Sequence, residues 1–162
     1  MKFEKVSQKQ YEADAKNLGH DGDYWAEYDN LKTPERGTRH SACYDFYAPY
    51  GIKLNPGEEV KFPSGIRAAD MPIDSVLLIF PRSSTGIKKN LMLNNTVGVI
   101  DSDYQYAENE GHIMFAVRNY GDHVQEIAAG ERFAQGVFVK YLITDDDNAT
   151  AKRSGGIGST GK

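Results

Sequence analysis

Apolar positions fall into two textures along the chain. Near the N-terminus they recur at helical spacing, with Tyr11, Ala15 and Leu18 forming an i, i+4, i+7 stripe of the kind that lies along one face of an α-helix. Ser7 and Gln10 ahead of it have capping-box spacing, and Gly19 follows as a stop signal. The spacing predicts one short helix. From Gly19 to Thr38 the residues are mostly polar or aromatic, with an acidic stretch around Asp21 to Asp29, and the reading is loop or irregular extension. From about Ser41 short β-rich runs take over: VLLIF, HIMFAV and RFAQGVFVKYLI, bounded by the turn signals NPGE, PSG, DMPID, NYGD and AAGE. Such turns, roughly every 8–12 residues without helical patterns between them, favour an antiparallel sandwich, jelly roll or barrel over a parallel βαβ sheet. No internal repeat is present. After Ile143 an acidic polar linker, Thr144 to Thr150, leads to RSGGIGSTGK, from Arg153 to Lys162, which cannot pack a core and reads as a flexible end.

The expected fold is therefore all-β, a jelly-roll-like barrel or sandwich with a short N-terminal helix and a flexible C-terminal arm. At 162 residues the chain fits one domain, with residues 1–40 an extension, 41–143 the β core and 144–162 a mobile arm. The longest purely apolar run, Val76 to Phe80, is too short to span a bilayer. The opening residues lack the apolar stretch of a secretory signal, so a cytoplasmic location is expected. One cysteine, Cys43, and four histidines, His20, His40, His112 and His123, offer no zinc framework. Nineteen basic against 23 acidic residues give a net charge of −4, which argues against polymeric nucleic acid or an acidic membrane surface as partner. A small anion remains a suitable ligand, since a few arginines and a divalent cation suffice for it.

Five segments are candidates for chemistry. PRSSTG, Pro81 to Gly86, places a guanidinium, three hydroxyls and a glycine where the chain leaves an apolar strand; it suits phosphate oxygens, although ordinary polar turns have the same composition. TVGVIDSDY sets Asp101 and Asp103 just beyond an apolar run, on one side if the strand continues. A carboxylate there, beside bound phosphate, can take a proton from water or hold the hydration shell of Mg²⁺, whereas an isolated DxD is more often a turn. SACYDF embeds Asp45 among apolar and small residues, where an inward carboxylate must find donors or a cation. GERFAQGVF reads as a turn into a core strand whose polar members are Arg132 and Gln135. The glycines at 155, 156, 158 and 161, with Arg153, Ser159 and Thr160, can close over a phosphate as a lid.

In this order SACYDF, PRSST, NNTVGVIDSDY, GERFAQ and RSGGIGSTG resemble the five motifs of the trimeric dUTPases, which hydrolyse dUTP to dUMP and pyrophosphate. The resemblance implies a β jelly roll assembled as a homotrimer with shared active sites. Asp101 matches the base that activates water for in-line attack on the α-phosphorus, with Mg²⁺ chelated by the triphosphate. Arg82, Ser83 and Ser84 match the phosphate-binding turn and Gln135 a further phosphate contact; Asp45 matches a carboxylate near the hydrated metal. Uracil would be read by a hairpin built from Asn95 through Val99 and Ile100 and returned by Ile113 and Met114. Tyr104 matches the tyrosine under the deoxyribose, where a 2′-hydroxyl has no room. Arg153 would meet the γ-phosphate, while Ile157, Gly158, Ser159 and Thr160 would cover the nucleotide.

The chain departs from the pattern at three places. Ile157 stands where the family has an aromatic that stacks on uracil. QYAENE separates Tyr104 from Gly111, implying a longer acidic hairpin tip without catalytic consequence. Cys43 and Ser84 replace glycines, and Cys43 has no partner base that would make it a nucleophile. The related dCTP deaminases should carry a glutamate three residues before Asn119, but Ala116 stands there. A rival of another class is a regulatory protein-binding trimer, using Gly19 to Thr38 and Gln105 to Glu110 as its surfaces; a plain structural jelly roll would leave the ordered motifs unexplained.

Overall fold

A computed structural model describes residues 1–151, 153 and 155. The expected helix, α1, spans Gln8–Asn17 with Ser7 as its N-cap, and Ser7 Oγ accepts from the Gln10 backbone N–H. The second half of the capping box does not close through Gln10, whose amide donates to Asp14 instead. Glu110, distant in sequence, accepts from both the backbone N–H and the hydroxyl of Ser7, at 2.7 and 2.6 Å.

The stretch from Gly19 to Thr38 is more ordered than its composition suggests. It holds a second helix, α2 (Tyr24–Asn30), capped by Asp23. Its packing side chains are tyrosines: Tyr24 and Tyr28 lean on a small core of Val6, Tyr11 and Leu31, while their hydroxyls donate to His20 and Val6 carbonyls. A tyrosine whose ring is half-buried and whose tip is bonded reads as polar in a hydropathy pattern, which hides the helix.

The strands are β1 (Lys2–Lys5), β2 (Glu35–Arg36), β3 (Tyr44–Tyr47), β4 (Ile52–Leu54), β5 (Glu59–Pro63), β6 (Ile66–Ala69), β7 (Ser75–Pro81), β8 (Leu91–Leu93), β9 (Gly98–Asp101), β10 (Met114–Asn119), β11 (Gln125–Ile127) and β12 (Arg132–Lys140). Each of the five turn signals lies between two consecutive strands. All pairings are antiparallel. One sheet runs β2-β3-β12-β7-β9 and another β5-β10-β8, with the pairs β1-β6 and β11-β4 beside them. These sheets stack as a sandwich and do not close into the barrel that stood as the alternative. Phe46 and Phe133 of the larger sheet meet Phe62 and Phe115 of the smaller one, the Phe115–Phe133 rings edge to face at 4.7 Å. Period-2 alternation explains the seam: Phe115, Val117 and Asn119 of β10 all point inward.

Strand β7 is the ruler of the molecule. It pairs along its length with β12 and over its first half with β9, setting Val76 opposite Asp101 and Phe80 opposite Gln135. Two loops that carry candidate chemistry therefore leave opposite ends of one strand.

Candidate active site

At the far end of β7 the chain leaves Pro81 into a π-type helical turn, Ser84–Lys88, held because Thr85 and Gly86 donate their N–H groups to the Arg82 carbonyl. Arg82, Ser83, Ser84 and Gln135 line a cavity of about 320 Å³ there, joined by Lys88, which the sequence reading did not single out. Asp45 sits behind it, only 7% exposed. The Arg82 Nε donates to one of its oxygens at 2.8 Å and Arg132 to the other at 3.2 Å. A buried carboxylate needs such compensation, and Arg82 Nη1 also donates to the Arg132 carbonyl at 3.3 Å, which fixes the guanidinium at the cavity wall. Burial, with Asp45 adding to it, pushes the Cys43 thiol up, so it is no activated nucleophile.

At the near end of β7 lies a larger cavity of about 510 Å³, walled by Asn95, Val99, Ile100, Asp101, Tyr104 and Met114. Its floor is not the expected hairpin but the turn that carries the chain from β8, paired with β10 in the smaller sheet, to β9, paired with β7 in the larger one; in that turn Thr96 takes φ +58°, a left-handed conformation costing a β-branched residue about 1–2 kcal/mol. The turn is held in place by Thr96 N–H donating to Leu93 and Asn94 N–H donating to Ala116. Gly98 lets β9 lie against β7: a Cβ there would stand 3.2 Å from that of Ile79.

The strand does not continue past Asp101, as the alternation argument supposed. A 3₁₀ helix, Ser102–Tyr106, begins at once, yet Asp101 and Asp103 still converge on one partner. Arg153 Nε donates to Asp103 at 2.8 Å and its Nη2 to Asp101, with the guanidinium 5.7 Å from the Tyr104 ring centre. The arginine expected to meet a phosphate thus rests on the carboxylates at the cavity edge. Tyr104 is buried, donating to the His112 carbonyl at 2.7 Å and accepting from Asn109 at 2.8 Å; burial pushes its phenol up.

QYAENE is not a hairpin tip. Gln105 is buried, accepting from the Asp70 N–H, and Glu110 is the cap of α1. Asp14 of α1 also reaches in: its carboxylate lies 2.6 Å from Nδ1 of His112, a fully buried ring whose Nε2 accepts from the Gly65 N–H. That bond leaves Nδ1 as the donor to Asp14. The pattern gave no sign of these contacts because their partners are 35 to 103 residues apart. Ile157, Gly158, Ser159 and Thr160 lie outside the described residues.

Among the described residues no group of three or more His, Cys, Asp or Glu side chains could hold a metal ion, and both oxygens of Asp45 face guanidinium groups. This donor set does not form a protein cage for Mg²⁺. It leaves room for an ion that arrives on phosphate oxygens and keeps its waters. Among those residues, too, no helix is long and apolar enough to cross a membrane.

Similar proteins are known both by sequence and by fold. A family model described as dUTPase matches residues 29–161. A deoxyuridine 5′-triphosphate nucleotidohydrolase of Lactococcus lactis is 44% identical over 134 residues, covering 81% of this chain and 89% of the relative. A crystal structure of a dUTPase from Streptococcus mutans superposes with a TM-score of 0.69 at 36% identity, covering 90% of this chain and 99% of that one. A dUTPase from phage phi11 of S. aureus, described as coordinating a structural Mg(II) ion, shares the fold at 19% identity and a TM-score of 0.62, covering 78% of this chain and 94% of that one.

Proposed function

Since the chain belongs to the dUTPase family and hydrolyses dUTP, we propose that its two cavities are halves of one active site completed by another copy of the chain. The separation along β7 carries this reading. Asp101 lies beside Val76 and Arg82 follows Pro81, so the two stand about 20 Å apart at 3.3 Å per residue. A triphosphate whose α-phosphorus lies at Asp101 does not reach Arg82 of the same copy. Ile73, Leu142 and Ile143 are exposed at the Asp101 end, and the Tyr141 hydroxyl donates to the Ile73 carbonyl, which gives an apolar surface for the neighbour. The family assembly that fits is a homotrimer.

In this reading uracil enters between the Asn95–Ile100 segment and Met114, and the deoxyribose lies against Tyr104. Asp101, freed from Arg153 when phosphate claims the guanidinium, takes a proton from water as it attacks the α-phosphorus in line. The neighbour's Arg82, Ser83, Ser84 and Gln135 hold phosphate oxygens, and Asp45 orients that Arg82. Mg²⁺ carried on the triphosphate supplies charge neutralisation. Ala116, where a deaminase would need its glutamate, contributes no carboxylate.

Incubation with dUTP, dCTP, dTTP and UTP, with and without Mg²⁺, tests the reading. Conversion of dUTP alone to dUMP and pyrophosphate, stimulated by Mg²⁺, is expected. Ammonia from dCTP, or equal turnover of UTP, would contradict it.

A further inference from the structure

We propose that Leu18, at the end of α1, is an apolar wall of the nucleoside half of this site and contacts the deoxyribonucleoside through its side chain. The inference rests on the dUTPase reading above and extends it to a helix that lies before the matched span of residues 29–161.

The apolar stripe of α1 does not end as a stripe should. Tyr11 and Ala15 are fully buried, but Leu18 is 37% exposed and lines the same cavity as Asp101, Tyr104 and Met114. It is therefore a cavity residue rather than a core residue.

Its position is fixed by bonds running directly to the sugar-binding tyrosine. The Leu18 N–H donates to the Asp14 carbonyl, the Asp14 carboxylate accepts from His112 Nδ1–H at 2.6 Å, and the His112 carbonyl accepts from the Tyr104 hydroxyl. Glu110 clamps the other end of α1. A helix anchored at both ends presents Leu18 without further ordering cost when substrate enters.

An apolar wall binds ground state and transition state alike, so its loss should appear in KM and spare kcat. Leu18→Ala is expected to raise KM for dUTP about fivefold with kcat and melting temperature close to the parent. Leu18→Met, which keeps an apolar side chain of similar volume, should restore KM. Titration with a non-hydrolysable dUTP analogue should show the same order of affinities. A KM unchanged in Leu18→Ala while the parent turns over dUTP overturns the role of Leu18 alone, as does a fall in kcat at constant KM or a failure of Leu18→Met to rescue. A parent that neither hydrolyses nor binds dUTP overturns the dUTPase reading as well.

Discussion

Asp101 closes strand β9 with its carboxylate on the cavity edge and half exposed, against Arg153. Asp101→Asn keeps the shape and removes the proton acceptor, so turnover should fall by at least about a hundredfold while binding of a dUTP analogue survives; retained turnover would take the base role from this residue. Gly111 is sensitive for a different reason. Its φ is +71°, and a Cβ there would stand 2.8 Å from the Tyr104 carbonyl and 2.9 Å from the Gln105 Cα. The Tyr104–Gln105 backbone cannot give way as a flexible side chain would. Gly111→Ala should cost about 2 kcal/mol or more by urea denaturation and, by shifting Tyr104, weaken discrimination between dUTP and UTP.

At the scale of elements, α1 depends on two carboxylates reaching across the molecule. Burial pulls both Asp14 and Glu110 upward, but hydrogen bonds from His112 and Gln10 to the first, and from Ser7 to the second, outweigh it and hold both below their ordinary values. The folded state therefore releases these protons more readily than the unfolded one. The resulting stabilisation is present above the unfolded carboxylate range near pH 4 and is lost as pH falls through the lowered folded values. Melting temperature should drop between about pH 5 and pH 3, and the Asp14→Asn, Glu110→Gln double variant should show a shallower slope. Asp14→Ala, which leaves the buried His112 Nδ1–H without an acceptor, should cost about 1–3 kcal/mol, and Asp14→Asn, whose amide oxygen still accepts, should cost less. Helix α2 reduces the surface that a regulatory partner was expected to use: Tyr24, Tyr28 and Leu31 pack inward, while Trp25 remains exposed.

For the whole molecule, the proposal of a shared site makes a prediction that no single-chain site can satisfy. Asp101→Asn and Arg82→Ala should each be inactive, yet co-refolded together they should regain a fraction of parental turnover, because some sites then combine an intact Asp101 from one copy with an intact Arg82 from another. Absence of recovery in trimers shown by mass spectrometry of the intact assembly to be mixed would place both residues in one copy's site. The exposed Ile73, Leu142 and Ile143 should become protected from hydrogen exchange or labelling in the assembly.

The sequence by itself determined what local pattern can encode. Period-2 runs and five turn signals pointed to an antiparallel all-β fold, barrel or sandwich, since strand alternation and turn chemistry are properties of neighbouring residues. The Tyr11 and Ala15 stripe with its Ser7 cap fixed α1, and the ordered motifs pointed to a dUTPase and to its reaction. Tertiary structure decided everything that depends on distant partners. It put Asp101 and Arg82 at opposite ends of β7, paired Asp45 with two arginines, closed the cap of α1 with Glu110 and turned Leu18 from the core to the cavity. Such contacts join residues whose separation along the chain carries no period, and only the packing of sheets and helices brings their side chains within bonding distance.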